Sequence, residues 1–425
     1  MSLGFYIIMA AQFFSSLADN ALLVAAIALL MLGDSPTWLT PYLKFFFVIS
    51  YVALAPYVGA FADRLPKGHV MFVSNSIKIV GCALMLFEVH PLAAYALVGL
   101  GAAAYSPAKY GILTEYLPPT KLVIANGWIE GLTVGSIILG TVLGGVLISA
   151  RVSGHLLGYD LPLVDLGIDN AAEAAISVIV FVYATAALFN LYVPRTGVAL
   201  KPLPPDPLAT LRDFYHCCQR LWTDRLGQIS LAVTTLFWGA GATLQFIVIE
   251  WARVALDYNL SRAAILQGVV ALGIAAGAVV ASLRVSLDRA VGVIPLGIGM
   301  GLVVIVMNFV SSIGIAIPLL ILMGALAGYF VVPMNALLQH RGHNLMGAGR
   351  SIAVQNFNEN ASILIMIAVY SALLGAGLSI YVVIVIFGLF VAGTMTLVLL
   401  WYRRNRRVHR EEIEALLEIA RSEKH

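Results

Sequence analysis

Leu3–Leu32 reads LGFYIIMAAQFFSSLADNALLVAAIALLML, thirty residues in which Asp19 is the one charge. A bilayer core is crossed by roughly 20 apolar residues in helical form, so the stretch reads as a transmembrane span with an ionisable group near its middle. Insertion scales put a central Asp at about 2.5–3.5 kcal/mol, and such residues are retained beside a partner or a water-filled cavity. The stretch therefore predicts a membrane protein with a polar site inside it. Its apolar run is too long for a signal-peptide core and lacks a basic leader, so it reads as a retained span.

The rest of the chain agrees. Of its 425 residues, 60% are hydrophobic and 11% charged, with a mean hydropathy of +0.93. A soluble chain carries about 25% charged residues, so the fold class is an all-α polytopic membrane protein. The net charge of +3 gives no reason to expect a nucleic-acid partner. Cys82, Cys217 and Cys218 form neither a disulfide framework nor a metal spacing. No P-loop or nucleophile elbow is present, so no ATP use, enzyme activity, cofactor or metal is expected.

Hydrophobic windows give twelve expected spans, near 3–32, 40–62, 69–89, 92–114, 122–150, 172–193, 227–252, 261–283, 290–312, 315–339, 350–377 and 379–402. The Pro-rich connection 194–226, with a surface helix expected over 208–226, divides them six and six. The expected organisation is a bundle over 1–193, a cytoplasmic loop over 194–226, a second bundle over 227–403 and a basic, amphipathic tail over 404–425. With both termini cytoplasmic, 20 of the 25 Lys and Arg residues fall on the cytoplasmic side, as the positive-inside rule requires. Asn126–Glu130 in span five is echoed by Asn356–Glu359 in span eleven, with Pro107 and Pro333 standing upstream of the two glutamates. Gly59-Ala60 is echoed by Gly277-Ala278. These matches suggest parallel repeats of the kind that hold a substrate site near the midplane.

Polar residues fall at helical spacing on several spans. Span one offers Gln12, Ser15, Ser16 and Asp19; span five Asn126, Glu130 and Thr133; span seven Thr234, Trp238 and Gln245; span eleven Gln355, Asn358, Glu359 and Ser362. One reading is a shared polar cavity, the other interhelical hydrogen bonding. Span five also repeats Gly127, Gly131, Gly135, Gly140 and Gly144, which fits close helix packing or a hinge. The tail opens on Arg403, Arg404, Arg406 and Arg407, suited to anionic headgroups. Residues 411–420 then read as a surface, partner-binding or solvated helix.

Gly59-Ala60-Phe61-Ala62-Asp63-Arg64-Leu65-Pro66-Lys67 resembles motif A of the major facilitator transporters, with Pro66 where the motif has glycine. The resemblance implies a major facilitator fold of twelve helices in two pseudo-symmetric six-helix bundles. It also implies a gating network on Gly59, Asp63, Arg64 and Lys67 that braces the outward-open state. The segments 14–22, 104–113 (with Ser106-Pro107-Ala108-Lys109-Tyr110-Gly111), 237–241, 331–339 and 354–360 are similar to the bacterial lysophospholipid transporter family.

That resemblance implies flipping of lysophosphatidylethanolamine and lysophosphatidylglycerol to the cytoplasmic leaflet of the bacterial inner membrane. A separate acyltransferase/acyl-carrier-protein synthetase would reacylate them there, with the transporter acting as a monomer. The chain ends shortly after span twelve, so transport alone is expected. The implied substrate site is Asp19, Asn20, Gln12, Ser16, Lys109, Tyr105, Asn126, Glu130, Trp238, Gln245, Gln355, Asn358 and Glu359. Relatives carry a base on span seven where this chain has Gln245, which leaves Lys78, Lys109 or no fixed base to face Asp19. The alternative is a proton-coupled drug or metabolite antiporter, since 140–145 resembles the antiporter motif with Thr141 in place of its proline. A lipid receptor or scaffold is a third reading, supported by the tail helix.

Overall fold

The computed structural model describes residues 2–32, 40–157, 168–203, 206–258 and 260–421. Within these the secondary structure is helical throughout. The helices are α1 (Leu3–Leu32), α2 (Thr40–Ala53), α3 (Ala55–Arg64), α4 (Lys67–Leu86), α5 (Pro91–Tyr116), α6 (Leu122–Leu147), α7 (Ala150–Leu157) and α8 (Ala171–Leu191). They continue with α9 (Pro207–Thr223), α10 (Gly227–Ala255), α11 (Leu260–Arg284), α12 (Ile294–Val306), α13 (Ile313–Met346), α14 (Ala348–Gly375), α15 (Ile380–Val408) and α16 (Arg410–Arg421). Hydrocarbon offers no water to the backbone, so each crossing segment bonds its own N–H and C=O groups, and helix is the form that does this.

Among the described residues, ten helical segments are able to cross a membrane by length and composition, and the pair 43–53 and 55–64, bent by 65°, makes an eleventh if counted as one. Twelve spans were expected. The expected fourth is present as α5, a 26-residue helix, but Ser106, Lys109, Glu115 and a run of Ala and Gly make it less apolar than the rest. The expected second span is broken at Leu54 because Pro56 has no N–H to give residue 52, and its ring collides with that carbonyl. The expected surface helix in the central connection is α9. On it Cys217 is buried, and burial pushes the Cys218 thiol up to about 12.

The chain forms two compact units. The first comprises Met1–Ile112, Gly135–Asp213 and Ala348–Ala353; the second comprises Leu113–Val134, Phe214–Gly347 and Val354–His425. In the first, α8 packs on α1 and α4 over a core that includes Leu22, Leu30, Met85, Ile176 and Tyr183. The α6 glycines divide by role. A Cβ on Gly140 would lie 2.6 Å from the Leu17 carbonyl, so α6 rides close on α1 there, whereas Gly131 and Gly135 face open space. In the second unit α11 packs along α13 and α12 along α15. The tail helix α16 is neither solvated nor lipid-facing along its whole length. Ile413 and Ala420 are buried as it packs on the 3-10 segments Pro119–Lys121 and Leu287–Val293, and Arg421 Nε reaches Asp288 at 2.9 Å.

Candidate functional site

The polar stripe of α1 builds the first cluster. Residues 12, 15, 16 and 19 lie on one helix face, and α4 presents Asn75 and Lys78 to it at a spacing of three. Lys78 Nζ contacts both carboxylate oxygens of Asp19, at 2.8 and 2.9 Å. It also donates to Ser15 Oγ at 3.1 Å, and Ser15 Oγ donates to Asn75 Oδ1 at 2.8 Å. From α8 the Tyr183 hydroxyl donates to Asp19 Oδ1 at 2.7 Å. The rings of Tyr105 and Tyr183 face the ammonium at 5.0 and 5.5 Å, a cation–π arrangement. Lys78 is 1% exposed and Asp19 21%, so the base is sealed and the carboxylate is the accessible half. Both amide atoms of Gln12 and the Nδ2 of Asn75 are buried without a hydrogen-bond partner among the described residues. Buried amides in that state are rare and call for a ligand, ion or water.

The question left by Gln245 is thereby answered. The counter-ion of Asp19 is Lys78. Lys109 instead lies over the Tyr110 ring at 4.7 Å. Gln245 is exposed, and its backbone carbonyl accepts from Gln267 Nε2 at 2.8 Å.

A second cluster belongs to the second unit. Asn126 and Gln339 exchange amide hydrogen bonds at 2.9 and 3.1 Å, both side chains fully buried. Gln355 Nε2 donates to Glu359 Oε1 at 2.8 Å and to Asn335 Oδ1 at 3.2 Å. Glu130 is buried in the same unit, and the Trp238 indole N–H is buried without a hydrogen-bond partner among the described residues. Among the described residues Glu359 forms no ion pair. Three expected members stay apart from both clusters through local bonding. Asn20 Nδ2 donates to the Ser16 carbonyl and Asn358 Nδ2 to the Val354 carbonyl, each back onto its own helix, and of Ser16 only the backbone takes part. Asn75, Tyr183, Asn335 and Gln339 are site residues that the sequence reading did not single out as such. The signals were the Asn75/Lys78 spacing and the Asn335/Gln339 spacing, each placing two polar groups on one helix face.

The motif-A segment forms a third polar centre, within the first unit. Asp63 accepts from Lys67 Nζ at 3.0 Å, from the backbone N–H of Gly349 at 2.7 Å and of Arg350 at 3.1 Å. Arg350 Nη1 lies 3.3 Å from the same carboxylate, and its Nε reaches Asp213 at 2.7 Å. A carboxylate placed on the first free N–H groups of α14 caps that helix from another segment. Gly349 permits it, since a Cβ there would stand 2.6 Å from Asp63 Oδ1, and Gly59 lets the segments meet, with its own Cβ position 2.6 Å from Ala353 Cβ. The expected network is corrected at one member: Arg64 is exposed, and Arg350 is the arginine of the centre. Pro66 causes no difficulty. The turn has Leu65 extended and Pro66 at φ −53°, within the proline range, so glycine is not required.

The profile described as Major Facilitator Superfamily matches residues 8–366. Lysophospholipid transporter LplT of Yersinia pestis (strain Pestoides F) is 42% identical over 371 residues, covering 87% of this chain and 86% of that protein. The LplT of Yersinia pseudotuberculosis serotype I (strain IP32953) matches to the same extent. Among solved structures, the transporter FucP in its outward conformation superposes with a TM-score of 0.70 at 13% identity, over 95% of this chain and 98% of FucP. A bacterial homologue of the iron transporter ferroportin gives 0.68 at 13% identity, over 95% of this chain and 99% of that one. At such identities the likeness concerns the fold.

Proposed function

Because the chain belongs to the Major Facilitator Superfamily, and within it to the family of the lysophospholipid transporters LplT, we propose that it carries lysophospholipids across the bacterial inner membrane by alternating access with lateral lipid entry. The observation that carries this reading is the Asp19–Lys78 pair with its ring of unpartnered amides and tyrosine faces. A lysolipid headgroup joins a phosphate to an ammonium or a glycerol. Lys78 is the natural partner of the phosphate, and Asp19 with the Tyr105 and Tyr183 rings that of the ammonium or glycerol. The pair opens to admit the headgroup and closes when it leaves: the phosphate compensates Lys78, while Asp19 is compensated by an ammonium or takes hydrogen bonds from glycerol hydroxyls. Gln12 and Asn75 supply the remaining hydrogen bonds. The acyl chain stays in lipid throughout.

The reading extends to six-helix bundles on either side of 194–226, cytoplasmic termini and a monomeric carrier. It also extends to a separate acyltransferase/acyl-carrier-protein synthetase that consumes the product. Asp63 and its partners then act as a gate.

Uptake of labelled lysophosphatidylethanolamine into reconstituted vesicles tests the proposal. Wild-type protein is expected to transport it, and Asp19→Asn to reduce uptake at least tenfold. Wild-type uptake by Asp19→Asn would remove the role given to Asp19. Uptake of a soluble drug in place of the lysolipid, driven by a proton gradient, would favour the antiporter reading.

A further inference from the structure

A second polar–apolar arrangement, in the second unit, shares no lining residue with the three centres. A cavity of about 680 Å³, open along one side, runs between α11, α13 and the segment entering α12. Its volume falls in the range of ligand pockets, about 300–1,000 Å³. Gly277, Val280, Leu296 and Leu326 supply apolar walls, and Tyr329 adds a half-buried phenol. At one end stand Arg284, in the last turn of α11, and Arg289, in the 3-10 segment that follows. Both are exposed, and neither forms an ion pair with a described residue. Asp288 between them is already engaged by Arg421 at 2.9 Å, so the mouth carries a surplus of positive charge.

From this geometry we propose that the groove holds an anionic phospholipid, with one acyl chain along the apolar walls and the phosphate at Arg284 and Arg289. The walls belong to segments that cross the membrane. An apolar recess there does not hold water, and hydrocarbon is what the bilayer offers to fill it. Basic residues at the membrane surface attract anionic headgroups, so the two arginines select charge while the groove selects a chain. A zwitterionic lipid satisfies the walls but brings an ammonium toward two cations. Lipid in this groove is independent of which substrate the Asp19 cluster carries.

The test is native mass spectrometry of the purified, delipidated full-length protein, titrated with phosphatidylglycerol or phosphatidylcholine of matched chains. Wild-type protein is expected to bind phosphatidylglycerol in preference. The double variant R284Q/R289Q is expected to bind it roughly thirtyfold more weakly, the effect of two basic residues at an anionic surface, with phosphatidylcholine unchanged. Val280→Trp, which fills the groove from an exposed position, is expected to weaken both lipids. Equal affinity of wild type for the two lipids, or undiminished phosphatidylglycerol binding by R284Q/R289Q, would overturn the proposal. So would undiminished binding by Val280→Trp, or thermal stabilisation by inorganic phosphate alone as large as that by the lipid. Loss of phosphatidylglycerol binding in Asp19→Asn would place the lipid at the transport cluster and overturn it equally.

Discussion

The two buried polar clusters solve the same problem differently. In the first unit Asp19 meets a base, Lys78, at 2.8 Å, and the charges compensate each other. In the second unit Glu359 meets neutral groups: the Gln355 amide at 2.8 Å, which is in turn held by Asn335, and the Thr234 hydroxyl. An ion pair at membrane depth is expensive to break and inexpensive to exchange for another pair of opposite charges. An amide network has no net charge to exchange and fixes geometry instead. The first cluster therefore has the chemistry of a site for a charged headgroup, and the second that of a bracing or shape-setting element.

Removing the base should have the largest effect. Lys78→Met leaves Asp19 without its cation, and breaking such a pair costs about 3–5 kcal/mol. A large drop in the thermal midpoint of the purified protein is expected, together with loss of lysolipid uptake. The double variant Asp19→Asn/Lys78→Met should recover most of the midpoint and none of the uptake, which separates stability from function. A Lys78→Met protein with unchanged melting and uptake would erase the contrast between the clusters. The amide side comes next. Gln339→Ala leaves the buried Asn126 Oδ1 without its donor, while Nδ2 keeps the Leu122 carbonyl, and an unmet buried acceptor costs about 1–3 kcal/mol. The midpoint should fall measurably, while uptake per folded molecule stays within a few-fold of wild type.

That contrast was partly legible in the sequence. Asp19 stood out because lipid does not tolerate it, and the stripe from Gln12 to Asp19 gave the face it lies on. Which helix meets that face was not legible. Lys78 and Lys109 read as equal candidates to face it, and Tyr183 sits in an apolar span that gives its hydroxyl no signal. Periodicity yields the faces of helices, whereas partners depend on how helices pack. The same limit explains the motif-A centre. Asp63 and Lys67 were legible, but the backbone N–H groups of Gly349 and Arg350 lie almost 290 positions away, and backbone donors have no sequence signature. The break at Leu54 was legible in principle from Pro56. Composition alone made 40–62 look like one span. The tail helix was legible as amphipathic, and its docking through Ile413 and Ala420 was not.

Smaller effects sharpen the comparison further. Glu359→Gln keeps the shape of the network and replaces the carboxyl that accepts from Gln355 with a neutral amide, a difference on the order of 1 kcal/mol. If the second cluster braces, uptake should fall less than tenfold and melting should shift little. A loss of uptake as deep as that of Asp19→Asn would give Glu359 a direct part in substrate handling and move the second cluster into the same class as the first.

Gln245 marks the lower bound. It is exposed, and its backbone carbonyl rather than its side chain bonds to Gln267. Side chains of that kind usually alter stability by no more than about 0.5 kcal/mol. Gln245→Ala should therefore leave melting and uptake at wild-type values, because Lys78 already supplies the charge that a base at position 245 would bring. A clear loss of uptake in Gln245→Ala with unchanged melting would mean that the Asp19–Lys78 pair does not act alone on the headgroup.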